Sequence, residues 1–194
     1  MSILSGIGNT PLVELTNLNT NKDLEIFGKL EENNPGGSVK DRPAYHMVKN
    51  AEASGELTHE KIILEPTSEN TGIALVIIDA AKDYKVKLCM PAYVSTERQR
   101  VLEAYGAEVL LTPANEAAVT GAIRKAHQMH DEEPGKYYMP NQFENESNIL
   151  SHYETTGPEI FNQTNGEIDI FVAGLGTTGT LMGTARYLKE QKPT

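Results

Sequence analysis

Three loops of the sequence carry residue types that could hold a reactive amine and bind an anionic ligand. The first, NNPGGSVKDR at residues 33–42, places two glycines shortly before Lys40. The pattern that follows predicts a helix beginning near Asp41, so Lys40 lies at a helix start, where the helix dipole disfavours a cation. The same field lowers the pKa of an ammonium group, as a nucleophilic lysine requires. A solvated surface lysine is the alternative interpretation.

The second loop, EPTSENTG at residues 65–72, lies between a predicted strand and a predicted helix. Its hydroxyl groups and backbone N–H groups gather at the positive end of that helix, which makes a site suited to a carboxylate. The alternative is a simple helix cap, in which Thr67 or Ser68 satisfies the first backbone donors and no ligand binds.

The third loop, AGLGTTGTLMG at residues 173–183, also joins a predicted strand to a predicted helix. Its G-x-G-x-x-G spacing favours phosphate binding by backbone N–H groups and threonine hydroxyls. A dinucleotide site would also need an acidic residue after a following strand, about 20 residues on. The sequence shows no such strand after the loop. A glycine-rich packing turn is the alternative.

Other candidate groups are weaker. His127, His130 and Asp131 resemble a metal site by composition, but they lie at a polar helix end without a nearby cysteine or further histidine. A solvated face is the favoured interpretation, and we expect no metal. The single cysteine, Cys89, stands in an apolar run and is expected to be a buried small hydrophobe.

The composition narrows the range of partners. The 194 residues include 17 basic and 27 acidic ones, for a net charge of −10. This excess of acidic residues excludes sequence-independent binding to the phosphate backbone of nucleic acids, and it disfavours binding to anionic lipid surfaces. The sequence shows neither a signal peptide nor an apolar run of membrane-spanning length. We therefore expect a soluble cytoplasmic protein that binds small molecules.

Short β-rich runs alternate with longer helical patterns along the chain. The predicted strands cover residues 24–29, 62–65, 86–90, 108–111, 137–139 and 168–173. The predicted helices cover residues 41–54, 70–84, 96–105, 116–130, 157–163 and 180–191. This rhythm is typical of an α/β fold with a largely parallel sheet. Ligands of such folds bind beyond the carboxyl ends of the strands, where the three loops lie.

At this point the motifs identify a family. In chain order they are IGNTPLVEL, NNPGGSVKDR, EPTSENTG, MPNQFEN, TTGPEIF and AGLGTTGT. Together they resemble the cysteine synthases, which are pyridoxal-phosphate enzymes of fold type II, the tryptophan synthase β-like class. The GTTGT loop combined with NNPGGSVKDR is more similar to cysteine synthase B than to A. Cystathionine β-synthase is a close relative with the same core motifs.

The resemblance implies two three-layer αβα domains with pyridoxal phosphate between them. The smaller domain would span residues 35–145. The larger, phosphate-binding domain would combine residues 1–34 with 146–194 and would be incomplete at its C-terminal side, because family sequences continue further. A homodimer is usual in the family, and for this chain we leave that assembly open.

The resemblance also implies roles for individual residues. Lys40 would form the Schiff base with pyridoxal phosphate and take the substrate Cα proton, and Asn70 would bind the 3′-oxygen of the cofactor. The cofactor phosphate would lie among Gly176, Thr177, Thr178, Gly179 and Thr180. The substrate carboxylate would be held by Thr67, Ser68, Thr71 and Gln142. The reaction would be β-replacement, in which sulfide displaces acetate from O-acetyl-L-serine to give L-cysteine.

One residue departs from the family pattern TSGNTG, because Glu69 stands where the family has glycine. Two like charges about 4 Å apart at an effective dielectric near 20 repel by about 4 kcal/mol. We therefore expect cofactor binding with impaired catalysis if this carboxylate faces the substrate.

Three hypotheses follow: a cysteine synthase, a non-catalytic relative that binds cofactor or a partner, and a nucleotide-binding oxidoreductase that rests on the glycine pattern alone. Within the family, other β-replacements and eliminations stay open, among them cystathionine synthesis and serine dehydration.

Overall fold

The computed structural model describes residues 2–67, 70–113 and 118–192. Its strands are β1 (Leu12–Glu14), β2 (Phe27–Lys29), β3 (Ile62–Pro66), β4 (Lys85–Pro91), β5 (Glu108–Thr112) and β6 (Tyr137–Tyr138). Its α-helices are α1 (Asp41–Ser54), α2 (Asn70–Lys82), α3 (Thr96–Ala104), α4 (Ala118–Glu132), α5 (Glu146–Ser151), α6 (Gly157–Gln163) and α7 (Gly179–Gln191). A π-helical turn, His152–Thr156, joins α5 to α6.

Four strands form a parallel sheet in the order β5-β4-β3-β6. Alternate side chains point to opposite faces of a strand, so each strand serves two cores. On β3, Ile63 packs with residues of α1 and α2, whereas Leu64 packs against Ala122 and Ala126 of α4. The sheet is therefore the middle layer of an αβα sandwich.

Helix α1 begins and ends where the sequence pattern predicts. Pro43 lies in its first turn, where the missing N–H costs nothing. Gly55 ends it in the left-handed conformation at φ +77°, and its N–H donates to the carbonyl oxygen of Glu52. This helix, which is closed at its C-terminal end by Gly55, places Lys40 at its N-terminal entrance.

Outside the sandwich, the β1–β2 hairpin is antiparallel, and α5, the π-turn, α6 and α7 pack on one another. Close approach needs glycine at two crossings. A Cβ on Gly157 would meet Tyr187, and one on Gly183 would meet the backbone of Ile149. Helix α5 also packs on α1, which brings this group of helices against α1.

A buried guanidinium joins these parts of the chain. Arg42 is 1% exposed and pairs with Glu31 at 2.7 Å and with Glu159 of α6 at 2.6 Å. Lys29 of β2 also pairs with Glu159, at 2.7 Å. Burial by itself raises a carboxyl pKa, yet the hydrogen bonds from Arg42 and Lys29 hold the pKa of Glu159 down at about 2.

The α/β class and its parallel sheet are confirmed, and most predicted elements match within two or three residues. One of the matched elements is shorter than predicted, and one helix of the structure was not predicted. The predicted 24–29 strand is confined to Phe27–Lys29. A helix at Glu146–Ser151 was not predicted. The predicted start of α4 at residue 116 lies outside the described residues.

The strand predicted at residues 168–173 is wrong, because this segment is irregular and pairs with none of the described strands. Ile170 is 80% exposed and Val172 is 83% exposed. A strand is held by hydrogen bonds to a neighbouring strand, and local pattern cannot supply that neighbour. The division into domains at 35 and 145 stays a prediction. Across the described residues, none of the helices is long and apolar enough to cross a membrane.

Asp79 of α2 is a buried carboxyl in the sandwich. It is 3% exposed, and neither carboxylate oxygen has a hydrogen-bond partner among the described residues. Burial raises its pKa from a usual 3.8 to about 8. Between these values the folded protein keeps a proton that the unfolded chain loses. The free energy of unfolding therefore falls as the pH rises through this range.

We expect Asp79→Asn to remove this pH dependence, because the amide is isosteric and uncharged. The variant should be at least about 2 kcal/mol more stable than the wild type at pH 9 and similar to it at pH 4. Urea unfolding at several pH values measures both. Asp83→Asn, which removes the same charge at an exposed position, is the control. Equal gains in the two variants would contradict the assignment.

Candidate active site

Parallel pairing brings two predicted ligand loops together at one edge of the sheet. Strand β6 lies next to β3, with Ile63 opposite Tyr138. The loops after these strands are therefore neighbours. The Thr71 hydroxyl, in the first turn of α2, donates to the Gln142 Oε1 atom at 2.7 Å, and both side chains are buried. Thr71 and Gln142 are 71 positions apart in the chain, and both are predicted to hold the substrate carboxylate. The structure brings them into direct contact.

A buried carboxylate holds the turn that carries Gln142. Glu65 of β3 is 1% exposed and accepts hydrogen bonds from the backbone N–H groups of Asn141, at 2.9 Å, and Gln142, at 3.4 Å. Burial raises the pKa of Glu65 to about 7, and these donors oppose that rise. Asn141 is left-handed at φ +49°, a conformation that asparagine tolerates. The turn is thus fixed from the sheet.

Asn148 connects this turn to the predicted phosphate loop. Its Nδ2 donates to the carbonyl oxygen of Gln142 at 2.8 Å and to Thr177 Oγ1 at 2.9 Å. Helix α5 carries Asn148, and the side chain of Asn145 caps that helix by accepting from the Ser147 N–H. A continuous hydrogen-bonded path therefore runs from Thr71 to Thr177.

The phosphate loop ends at the start of α7, a helix of 13 residues. Thr178 is its N-cap in the left-handed conformation at φ +66°. Gly179 is buried, and a Cβ at this position would collide with the Asn148 side chain. Gly176 is exposed, with no atom within 4 Å of a built Cβ. The loop therefore presents two threonines beside an open backbone.

His152 is a buried residue that contacts the same loop through Thr180. It is 1% exposed, and its ring nitrogens lie 2.9 Å from Thr156 Oγ1 and 3.2 Å from Thr180 Oγ1. Burial, with the nearby positive charges of Arg42 and Lys40, lowers the pKa of His152 to about 3. At neutral pH the ring is therefore uncharged and serves as a hydrogen-bonding support for Thr180.

Lys40 is half-buried at the N-cap of α1, with φ −70° and ψ −17°. The preceding loop turns at Gly37, at φ +76°, and the Gly36 N–H donates to Asp41 Oδ2 at 2.5 Å. Arg42, two residues after Lys40, donates to Thr155 of the π-turn at 3.1 Å, so the entrance of α1 lies beside the turn on which α7 packs.

The other predicted site residues are placed as follows. Asn70 is the first residue of α2 and is exposed, and Thr67 is buried with its N–H donating to the Cys89 carbonyl oxygen at 3.1 Å. Ser68 and Glu69 lie outside the described residues, so the structure tests neither of them.

The described residues fit a phosphate-bearing cofactor. A long helix starts at the loop and supplies backbone donors. The Thr177 and Thr180 hydroxyls belong to the same loop and are held there by Asn148 and His152, and the backbone at Gly176 is open to a ligand. This donor-rich loop suits a phosphate dianion better than a cation.

Four buried residues were missed by sequence reasoning: Arg42, Glu65, Asn148 and His152. Asn145 followed by Glu146 is a helix-capping signal that could have predicted α5. For the buried carboxylate and the neutral histidine we find no local signal. Among the described residues, no group of three or more acidic, histidine or cysteine side chains could hold a metal ion.

The family is now defined by comparison. Residues 3–194 match the family of pyridoxal-phosphate dependent enzymes, and the chain belongs to that family. The resemblance to cysteine synthases, the fold type II class and the pyridoxal-phosphate cofactor are thereby confirmed.

Two related sequences that match this chain are named cysteine synthases. A cysteine synthase of Flavobacterium sp. is 47% identical over 190 residues, which is 98% of this chain and 61% of the relative. Cysteine synthase B of Salmonella typhimurium is 48% identical over 186 residues, 96% of this chain and 60% of the relative. The chain therefore spans about three fifths of the length of these relatives.

Two solved structures of related enzymes share the fold of this chain. A cysteine synthase of Entamoeba histolytica has a TM-score of 0.94 at 44% identity, covering 98% of this chain and 57% of that one. An O-acetylserine dependent cystathionine beta-synthase of Helicobacter pylori has a TM-score of 0.91 at 39% identity, covering 100% and 63%.

We expect Gly179→Ala to lower the free energy of unfolding by about 2 kcal/mol, since the methyl group would displace the buried Asn148 amide. Gly176→Ala lies in open space in the same loop and should change it by less than about 0.5 kcal/mol. Urea unfolding of both variants makes the comparison. Equal losses would show that Gly179 is not constrained by Asn148.

Proposed function

We propose that this chain carries the catalytic residues of a cysteine synthase, which replaces the acetoxy group of O-acetyl-L-serine by sulfide to give L-cysteine and acetate. The observation that supports it most is the hydrogen-bonded path from Thr71 through Gln142 and Asn148 to Thr177. It joins a carboxylate subsite to a phosphate subsite, which an amino-acid substrate and a phosphorylated cofactor require together. Relatives named cysteine synthase support the reaction.

The proposal gives each residue a role. Thr71 and Gln142 would bind the substrate carboxylate together with Thr67 and Ser68. Thr177, Thr180 and the N–H groups at the start of α7 hold the phosphate, with Gly176, Thr178 and Gly179 shaping the loop. Asn70 would bind the 3′-oxygen of the cofactor. Lys40 would hold the cofactor through its amine, take the substrate Cα proton and return it after replacement.

Pyridoxal phosphate supplies the electron sink for the pair left at Cα when the proton departs. In the net reaction the Cβ–O bond to acetate breaks and a Cβ–S bond forms, with one sulfide proton retained on the thiol. The protein contributes the position of the amine, the anion subsites and the fixed hydrogen bonds. We expect the reaction in the cytoplasm, and homodimer formation stays open.

Cystathionine β-synthase-like replacement is a second candidate, favoured by the Helicobacter pylori structure. The two activities use the same loops and differ in the nucleophile. A non-catalytic relative that keeps the cofactor is the third candidate, and Glu69 is the feature that favours it. The nucleotide-binding alternative explains neither the lysine loop nor the carboxylate loop.

Borohydride reduction of the protein with added pyridoxal phosphate should trap a pyridoxyl group on Lys40, as read by peptide mass mapping. The Lys40→Ala variant should trap none, while Lys49→Ala, changed on the exposed end of α1, should trap as much as the wild type. An adduct on another lysine, or no adduct in a folded sample, would overturn the assignment.

Glu69→Gly should raise kcat/KM for cysteine formation from O-acetyl-L-serine and sulfide. If the carboxylate faces the substrate, the relief of about 4 kcal/mol corresponds to about a thousandfold. Glu69→Gln removes the charge and keeps the side chain, so it separates electrostatic repulsion from backbone restriction. Equal rates in wild type and Glu69→Gly would contradict the hypothesis that this residue impairs turnover.

A further inference from the structure

Asn148 contacts both subsites through a single amide nitrogen. Its Nδ2 lies 2.8 Å from the Gln142 carbonyl oxygen and 2.9 Å from Thr177 Oγ1. An amide nitrogen carries two hydrogens, so both are committed by these two bonds. The side chain is 3% exposed and occupies the space that a Cβ on residue 179 would need.

These bonds determine the direction of the Thr177 hydroxyl. A hydroxyl has one hydrogen to donate and lone pairs to accept. Because Thr177 Oγ1 accepts from Asn148, its own hydrogen points away from Asn148. That hydrogen is therefore available to a ligand of the loop. A phosphate dianion offers acceptors and needs such donors.

The same bonds fix the distance between the subsites. Gln142 is held by Glu65 on one side and by Asn148 on the other. The Gln142 side chain accepts from Thr71. A change at Asn148 therefore reaches the phosphate loop through Thr177 and the carboxylate subsite through the backbone of Gln142.

We propose that Asn148 is a positioning residue that orients the Thr177 hydroxyl as a donor to the cofactor phosphate and couples this subsite to Gln142. It acts through Thr177 and touches neither substrate nor cofactor. The inference rests on the proposed function, since it presumes that a phosphorylated cofactor binds at this loop.

The test is a double-mutant cycle on pyridoxal phosphate affinity, followed by absorbance titration, with inorganic phosphate as a competitor. Asn148→Ala and Thr177→Val should each weaken binding about tenfold, the effect of one lost hydrogen bond to an anion. The double variant should be no weaker than Thr177→Val alone, because Asn148 acts through that hydroxyl. A purely structural role would make the two losses multiply to about a hundredfold.

Asn148→Asp is the second variant, since it keeps the shape and replaces the donors with acceptors. It should weaken pyridoxal phosphate binding more than Asn148→Ala does, through a reversed hydroxyl and an added negative charge. If Asn148→Ala does not fold, the Asn148→Asp variant still tests the proposal. Ser147→Ala, on the same helix but bonded to Asn50, is the matched control and should bind like the wild type.

The outcomes separate the two proposals. Wild-type binding by Asn148→Ala and Asn148→Asp, or multiplying losses in the double variant, would overturn the role of Asn148 and leave the proposed function standing. A folded wild-type protein that binds no pyridoxal phosphate at Lys40 would overturn the proposed function and this inference with it.

Discussion

The buried guanidinium of Arg42 is the interaction on which the arrangement depends. It bonds to Glu31 before α1, to Glu159 on α6 and to Thr10 near β1. Removing one partner of such a buried group leaves an uncompensated charge, so the segments are held in one arrangement. Lys40 lies two residues before Arg42, and its place relative to α6 and the π-turn follows from this cluster.

A second set of buried polar groups fixes the positions of the ligand loops, as Arg42 fixes the segments around α1. Glu65 holds the turn after β6, Asn148 holds that turn to the phosphate loop, and His152 supports Thr180. Each of these residues is nearly inaccessible to solvent. Buried hydrogen bonds of this kind cost much to break, because the groups left behind cannot turn to water. Rigid loops are what an anion subsite needs.

The segment 168–175 shows the opposite situation. It joins α6 to the phosphate loop with three apolar side chains exposed to solvent, those of Ile170, Val172 and Leu175, the last at 74% exposure. The loop that follows is nevertheless well defined, because α7 packs on α5, on α6 and on the π-turn. The described phosphate loop thus owes its position to the helix after it and to Asn148, with no sheet contact from the strand predicted before it.

Much of this protein could be read from the sequence alone. Local pattern predicted the helices other than α5, the four parallel strands of the sandwich and the three loops, because apolar periodicity, glycine and proline act over a few residues. The types of residue in those loops also indicated an amine, a carboxylate site and a phosphate site.

Only the tertiary structure decided how the loops meet. The pairing of β6 with β3, the buried ion cluster of Arg42 and the bridge through Asn148 join residues up to 117 positions apart. The same dependence explains the failed strand at 168–173, since a strand forms only where a neighbour supplies its hydrogen bonds. Contacts of this kind depend on which surfaces come together in space, and nearby residues in the chain do not encode them.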